Sequence, residues 1–278
     1  MIDNRIGFMQ GRLVDLVDNK IQAFPMLEWR SEFIYANKIG LQLMEWTLDY
    51  EELYNNPLMK QSGQKEIRKL SSKYGLSIPS LTGDCFMQAP FWKTINSTSL
   101  EKQFFDVLRA CNNLGIKYVV VPLVDNGALT SNEEEERFVE FMLQNYAVIE
   151  ELKIKIVFES DYEPEKLFNF INKLPSDYFG INYDIGNSAA LNFDPQEEFK
   201  SYGNRILNVH VKDRKIGSST VPLGTGNANF SQVFNELKKI NYSGNLILQT
   251  ARDVEGNHIN TIEKYASMVR GWINEASL

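Results

Sequence analysis

Short apolar segments alternate with longer segments of helical periodicity along the whole chain. The apolar segments have the length of β-strands, and the segments between them repeat their apolar residues as amphipathic helices do. Eight strands are predicted in this way, at residues 5–9, 41–46, 76–82, 116–122, 153–160, 179–184, 205–212 and 245–250. Gly75 and Gly115 follow predicted helices, as is common where a helix ends. The pattern therefore predicts a series of β–α units.

Eight β–α units in 278 residues predict a single domain, a closed (β/α)8 or TIM barrel over residues 1–278. The segment IKYVVVP (116–122) is apolar almost throughout, which is typical of a parallel strand covered on both faces. An open doubly wound sheet is the alternative fold. No glycine-rich turn of the dinucleotide-binding type follows the first strand, and this favours the barrel.

Two helix starts can be placed from their polar residues. Ser99 is the predicted N-cap of a helix over 99–114. A further helix opens with the acidic segment SNEEEE (131–136), where Asn132 is the predicted cap and the carboxylates face the positive end of the helix dipole. This run of charge predicts a solvent-exposed first turn.

Composition and charge narrow the classes of function. A net charge of -7 and a pI near 5.1 oppose binding to a nucleic acid backbone. No apolar run approaches the roughly 18 residues that span a bilayer, and no signal peptide core is evident. Two cysteines, Cys85 and Cys111, suit a reducing compartment. We expect a cytoplasmic protein with no nucleic acid or membrane partner; whether it forms a homo-oligomer stays open.

Polar residues stand at the ends of four consecutive strands, the fifth to the eighth. These residues are Glu159, Asp184, His210 and Gln249. A barrel brings its strand ends into one ring, where two buried carboxylates without a cation would be costly. Each residue alone could equally serve a loop or the core, but the set predicts one divalent metal ion, Mn²⁺, Mg²⁺, Co²⁺ or Zn²⁺.

Segments spread over nearly the whole chain resemble the xylose isomerase-like TIM barrel superfamily, in particular its bacterial sugar (phosphate) isomerase and epimerase branch. They are IGFMQGRL, IQAFP, MEW, FES, YDIGN, VHVKDR, VPLGTGNANF and LQTARD. The resemblance implies one divalent ion held by Glu, Asp, His and Glu on strands five to eight. It also implies a sugar or sugar-phosphate substrate and proton abstraction next to a carbonyl, through a metal-stabilised enediolate. By position, Glu159 would be the base.

Gln249 departs from the pattern of the superfamily. The resembling ketose 3-epimerases use the first and last glutamates to remove and return a proton on opposite faces of the substrate. A glutamine can bind a metal through its carbonyl oxygen but cannot accept the proton. Either another group makes the second proton transfer or the reaction uses one base. Lys212, which follows His210 closely, is the favoured candidate for such a group, and Glu45 and Asp84 are alternatives. A surface lysine paired with Asp213 is the competing interpretation of Lys212.

Further residues at strand ends are candidate substrate contacts. They are Gln10, Arg12, Glu45, Trp46, Asp84, Asn187, Arg214 and Arg252. The arginines suit anions or hydroxyl groups, and Trp46 suits an apolar wall. The segment GTGN (224–227) precedes a predicted helix and could bind an anion, although an ordinary turn is favoured there.

The sequence also bears on three other functions. A metal-dependent dehydratase of a keto-inositol or keto-sugar would use the same ion. A non-catalytic sugar-binding barrel would explain Gln249 and Asn187, but the intact Glu159, Asp184 and His210 argue against it. The resembling apurinic endonucleases bind three zinc ions with many histidines. Only two histidines, His210 and His258, occur here, so that activity is disfavoured.

Overall fold

Eight parallel strands form a closed barrel in the computed structural model, which describes residues 5–278. The strands are β1 (Ile6–Met9), β2 (Leu43–Thr47), β3 (Ser77–Thr82), β4 (Tyr118–Leu123), β5 (Lys155–Ser160), β6 (Phe179–Asp184), β7 (Ile206–Val211) and β8 (Asn245–Leu248). Each strand pairs with the next, and β8 pairs with β1. The predicted (β/α)8 barrel is confirmed, because an open sheet would leave β1 and β8 unpaired.

Eleven α-helices accompany the strands in residues 5–278. They are α1 (Trp29–Lys38), α2 (Gln61–Tyr74), α3 (Asp84–Gln88), α4 (Thr98–Leu114), α5 (Asn132–Gln144), α6 (Tyr146–Glu151), α7 (Pro164–Ile171), α8 (Ile185–Ala190), α9 (Pro195–Tyr202), α10 (Phe230–Lys239) and α11 (His258–Ala276). Eight were predicted; the short α3, α6 and α8 are additional. Among the helices described, none is long and apolar enough to cross a membrane.

The helix ends follow local side-chain chemistry. Gly75 and Gly115 end α2 and α4 with φ of 65° and 77°, a left-handed conformation that glycine adopts without strain. The predicted cap at Asn132 is wrong, because Asn132 is the first residue of α5 and the cap is Ser131. The N-cap of α4 is likewise Ser97 rather than Ser99.

Strand alternation separates an apolar outer face of the barrel from a polar interior, since successive side chains face opposite sides. On the outer face, Phe158 of β5 packs against Phe138 of α5 and Phe170 of α7, with ring centroids 5.5 Å apart in each pair. In the interior, Asn208 of β7 donates a hydrogen bond across the barrel to Glu45 of β2 at 2.9 Å. The apolar core therefore lies between strands and helices, whereas the interior towards the carboxyl ends of the strands is polar.

Replacement of Ser131 by alanine tests the cap of α5. The Ser131 hydroxyl accepts a hydrogen bond from the Glu134 N–H at 3.2 Å. We expect Ser131→Ala to lower the free energy of unfolding by about 1 kcal/mol, measured by urea denaturation. The matched control Asn132→Ala should cost less, because that side chain does not cap the helix. Equal losses in the two variants would contradict the assignment.

Candidate metal centre and active site

Three side chains from neighbouring strands converge inside the mouth of the barrel. Glu159 lies near the end of β5, Asp184 ends β6, and His210 lies on β7 in register with Asp184. One ligand atom of each lies within 4.8 Å of the others, and all three residues are buried. His210 Nδ1 is 3.1 Å from Glu159 Oε2 and 3.9 Å from Asp184 Oδ2. These three residues could therefore hold one divalent ion.

Hydrogen bonds to Glu45, on the side of the ring away from Glu159 and Asp184, fix the orientation of His210. Its Nε2 lies 2.6 Å from Glu45 Oε1, and a carboxylate only accepts, so Nε2 carries a hydrogen and donates it. Thr82 and Asn208 donate to the same carboxylate at 2.5 and 2.9 Å. This arrangement leaves Nδ1 directed at Glu159 and Asp184. A carboxylate that holds the far nitrogen of a histidine ligand is common in metal sites.

Charges in this cluster favour an added cation. Burial raises the pKa of Asp184, and the neighbouring Glu159 charge raises it further against the attraction of Lys212. Burial opposes the charged form of His210, but Glu45 and Glu159 outweigh this effect and raise its pKa to about 10. A divalent metal at Nδ1 would take the place of the Nδ1 proton and supply positive charge at the same point. Two carboxylates and an imidazole whose ligand atoms lie within 4.8 Å of one another fit such an ion.

Lys212 and Gln249 complete the ring around the three candidate ligands. Lys212 Nζ lies 2.6 Å from Asp184 Oδ2 and donates to Gln249 Oε1 at 3.1 Å. The ion pair suggested from the sequence, Lys212 with Asp213, does not form; the partner is Asp184. Lys212 is therefore an interior residue, with its ammonium between two of the four predicted ligands.

A chain of side-chain hydrogen bonds fixes the orientation of the Gln249 amide. Arg12 can only donate, and it donates to Gln22 Oε1 at 3.1 Å. The same oxygen accepts from Gln249 Nε2 at 3.0 Å, and Gln22 Nε2 donates to Asp84 Oδ2 at 2.5 Å. At the other end of the chain, Lys212 can only donate to Gln249 Oε1. The carbonyl oxygen of Gln249 thus faces the candidate metal centre and its nitrogen faces Gln22.

A cavity of about 410 Å³ opens beside this cluster at the carboxyl ends of the strands. Six residues predicted from the sequence line it: Asp84, Glu159, Asn187, Lys212, Arg214 and Gln249. Asn187 Nδ2 donates to Glu159 Oε1 at 2.7 Å, and Arg214 Nη1 donates to Asn187 Oδ1 at 2.8 Å. The additional helices α3 and α8 carry Asp84 and Asn187 into this position. The cavity therefore combines the candidate base with hydrogen-bond donors.

Three predicted substrate contacts lie among the strands, outside the residues that line the cavity. Glu45 lies beneath the cavity and holds His210. The Trp46 ring packs on Trp29 of α1, because a residue that follows an inward-facing Glu45 faces outward. Gln10 Oε1 accepts from the Thr47 N–H at 3.2 Å within the barrel.

Two predicted arginine clamps hold the loop between β1 and α1 instead of lining the cavity. Arg12 donates to the carbonyl oxygens of Ile21 and Thr250, both at 3.0 Å, and to Gln22. Arg252 donates to the carbonyl oxygens of Gly11 and Val14. Backbone and amide acceptors thus engage both guanidinium groups, and Arg12 holds Gln22 at the cavity.

The GTGN segment is engaged by a carboxylate of the protein itself. Asp213 accepts hydrogen bonds from the N–H groups of Gly224, Gly226 and Ala228 at 2.9, 2.8 and 3.1 Å. A Cβ at Gly226 would lie 2.2 Å from Asp213 Oδ1, so only glycine fits at this point. The turn favoured from the sequence is therefore present, and its N–H groups are not free to bind an anion.

Several site residues were not predicted from the sequence. Asn182 and Asn208 lie two positions before Asp184 and His210, so alternation alone puts them on the same interior face. Asn182 donates to Glu159 Oε2 at 2.9 Å, and Asn208 donates to Asn182 Oδ1 at 2.8 Å. Gln22 gave no such signal, because it lies in a loop without periodicity.

The sequence is similar to a known protein family and to individual proteins. The sequence model of a family described as xylose isomerase-like TIM barrel matches residues 33–275. An L-ribulose-5-phosphate 3-epimerase, UlaE, of Salmonella heidelberg (strain SL476) is 22% identical over 270 residues, covering 92% of this chain and 94% of that protein.

Solved structures share the fold over almost the full length. A D-allulose 3-epimerase from Methylomonas sp., in complex with D-allulose, superimposes with a TM-score of 0.75 and 14% identity over 98% of each chain. The IolI protein, solved with a zinc atom, gives a TM-score of 0.71 and 16% identity, also over 98% of each chain. At these identities the structures establish a common architecture.

The contact between Glu45 and His210 can be tested by metal binding. We expect Glu45→Gln to weaken the affinity for Mn²⁺ by about 10- to 100-fold in titration calorimetry, because the neutral amide makes the imidazole a poorer ligand. Glu32→Gln is the matched control: Glu32 is equally buried but accepts from the Gly11 and Leu13 N–H groups. An unchanged affinity in Glu45→Gln would contradict the orientation assigned to His210.

Proposed function

The chain belongs to the xylose isomerase-like TIM barrel family, and we propose that it is a divalent-metal-dependent sugar or sugar-phosphate isomerase/epimerase. The observation that carries the proposal is the buried cluster of Glu159, Asp184 and His210 beside the cavity. Glu159 itself lines the cavity. Glu159 is both a candidate ligand and the carboxylate best placed to reach a substrate carbon.

The relatives support the substrate class. The names L-ribulose-5-phosphate 3-epimerase and D-allulose 3-epimerase both describe inversion of a carbon next to a ketose carbonyl. D-Allulose in one complex and zinc in another support a sugar-sized substrate and a divalent ion for this chain. A cavity of about 410 Å³ is adequate for a sugar or a sugar phosphate.

Glu159 is the proposed base. Asn187 and Asn182 donate to its two oxygens at 2.7 and 2.9 Å and fix the carboxylate plane. Burial raises the pKa of Glu159, but a hydrogen bond from His210 and the charge of Lys212 outweigh it and lower the pKa, so the carboxylate form is available at neutral pH. It would remove the proton on the carbon next to the carbonyl, as general base catalysis requires.

Asp184, His210 and Glu159, with the carbonyl oxygen of Gln249, would hold the ion. When bound, the ion supplies positive charge that stabilises the oxyanion of an enediolate. Lys212 is the second catalytic group of the proposal: its ammonium, fixed by Asp184 and Gln249, can donate a hydrogen bond to a substrate oxygen as negative charge develops. Arg214 and Asn187 would bind further hydroxyl or phosphate oxygens.

Metal-dependent hydrogen exchange tests the proposed reaction. The protein, loaded with Mn²⁺ in deuterated water, is incubated with L-ribulose 5-phosphate, L-xylulose 5-phosphate, D-allulose or D-fructose. We expect one epimeric pair to incorporate deuterium at C3 and to interconvert, as detected by NMR and mass spectrometry. A chelator should stop both processes, and Glu159→Gln should slow exchange by about 100-fold or more.

Three outcomes of this experiment would count against the proposal. Absence of exchange with every probe would contradict the proposed reaction. Exchange that persists in the presence of the chelator would contradict the dependence on metal. A product lighter than its substrate by one water would favour the dehydratase instead.

Removal of the Lys212 ammonium group tests its proposed role as a donor to the substrate oxygen. Lys212→Met keeps the apolar stem and should lower kcat by about 100-fold or more, because the charge on the substrate oxygen would lose one donor. Lys215→Met is the control, since Lys215 lies three positions away and is exposed. An equal effect in both variants would contradict a specific role for Lys212.

A further inference from the structure

The proposed epimerisation needs a second acid/base group, and Gln249 cannot supply it because an amide does not carry the proton. We propose that the Asp84 carboxyl group is this second group and returns the proton to the carbon on the face opposite Glu159. This inference rests on the proposed function and assigns the proton transfer to Asp84 rather than to Lys212.

The position of Asp84 meets the requirements of such a group. Asp84 opens α3 directly after β3 and lines the same cavity as Glu159. Both carboxylates are 6% exposed, so each is largely shielded from water yet open to the cavity. β4 separates their strands in the barrel, so the two side chains enter the cavity at different points of its rim, two strands apart.

One oxygen of Asp84 is anchored and the other is available. Oδ2 accepts the hydrogen bond from Gln22 Nε2 at 2.5 Å. Within residues 5–278, Oδ1 has no hydrogen-bond partner, and the side chain borders the cavity. A carboxyl group held in this way keeps a defined orientation while its free oxygen carries the proton.

Gln22 connects Asp84 to the strand end where the carboxylate is missing. Gln22 Nε2 donates to Asp84, and Gln22 Oε1 accepts from Gln249 Nε2. A single side chain thus separates Asp84 from Gln249, and Arg12 holds that side chain in place. The Asp84 carboxyl group, at the start of α3, is therefore linked through one hydrogen-bonded side chain to the amide that follows β8.

The protonation of Asp84 supports this role. Burial raises the pKa of Asp84 to about 7, and the negative charges of Asp49 and Glu159 add to the effect. The Gln22 hydrogen bond and the Arg12 charge act in the opposite direction. Near neutral pH both the acid and its conjugate base are then present, as a group that alternately donates and accepts a proton requires.

Other charged side chains that line the cavity are less suitable as the second acid/base group. Asp125 and Asp161 also line it, but both are exposed, and no hydrogen bond fixes either side chain within the described chain. Lys212 contacts the candidate ligands Asp184 and Gln249 and is needed there as a fixed charge. Asp84 is the cavity carboxylate that is buried, anchored and outside the set of candidate ligands.

The step balances without a further reactant. The C–H bond next to the carbonyl breaks, its proton goes to Glu159, and its electron pair becomes the enediolate. A new C–H bond then forms with the proton of the Asp84 carboxylic acid, leaving Asp84 as a carboxylate. Proton exchange with solvent returns both groups to their starting states.

Exchange measured separately from each epimer tests the role of Asp84. Asp84→Asn keeps the shape and can still accept from Gln22, but it cannot transfer a proton. With Mn²⁺ in deuterated water and the four probe sugars named above, we expect interconversion to fall by about 100-fold or more. The epimer whose proton Glu159 removes should still exchange at C3 at a rate near that of the unmodified protein, whereas its partner epimer should not exchange.

Asp49→Asn is the matched control. Asp49 is the carboxylate next to Asp84, but it accepts from the Phe24 N–H and from Gln88 and does not line the cavity. This control removes one of the charges that raise the pKa of Asp84, so we expect its pH profile to shift to lower pH while interconversion at the optimum stays within a few-fold of normal. Interconversion within a few-fold of normal in Asp84→Asn, or equal loss of exchange from both epimers, would overturn the role of Asp84 while leaving the proposed function intact. Absence of exchange in the unmodified protein would instead overturn the proposed function, and this role with it.

Discussion

Buried negative charge is the constraint on which the site depends. Glu45, Glu159 and Asp184 lie within one closed barrel interior, where unpaired carboxylates would be strongly destabilising. His210 compensates two of them through its two ring nitrogens, and Lys212 pairs with the third. One imidazole and one ammonium carry less positive charge than three carboxylates require. A divalent ion would complete the balance, and under the proposed function its charge would also stabilise an enediolate.

Neutral amides hold these charged groups in fixed positions. Asn208 and Asn182 link Glu45 to Glu159 beneath His210, and Gln22 links Asp84 to Gln249 above it. Each amide has a donor and an acceptor side, so a group at one end that only donates or only accepts determines the orientation of the next. The network therefore orients the amides of Gln22, Asn182 and Gln249 before a substrate binds, and such pre-orientation favours electrostatic stabilisation of a transition state.

Loops at the carboxyl ends of the strands position further side chains around the cavity. Arg12, Arg252 and Glu32 fasten the β1–α1 loop so that Gln22 reaches the cavity. Asp213 occupies the N–H groups before α10 and so closes a potential anion site. Under the proposed function, Asp84 at the start of α3 makes the second proton transfer, and Gln249 after β8 does not. The candidate metal ligands Glu159, Asp184 and His210 stay on the strands.

The amino-acid sequence was sufficient to predict the barrel, its eight strands and the polar residues at the ends of β5 to β8, because parallel strand ends must meet at one end of a closed sheet. Alternation along single strands could also have separated Trp46 from Glu45. The contact of Glu45 with His210, across 165 positions, and the approach of Gln22 to Gln249, across 227, depended on the tertiary structure. Contacts across the interior follow from strand stagger and loop path, which periodicity does not encode. For the same reason Lys212, a surface residue in one interpretation of the sequence, is an interior cation in the folded protein.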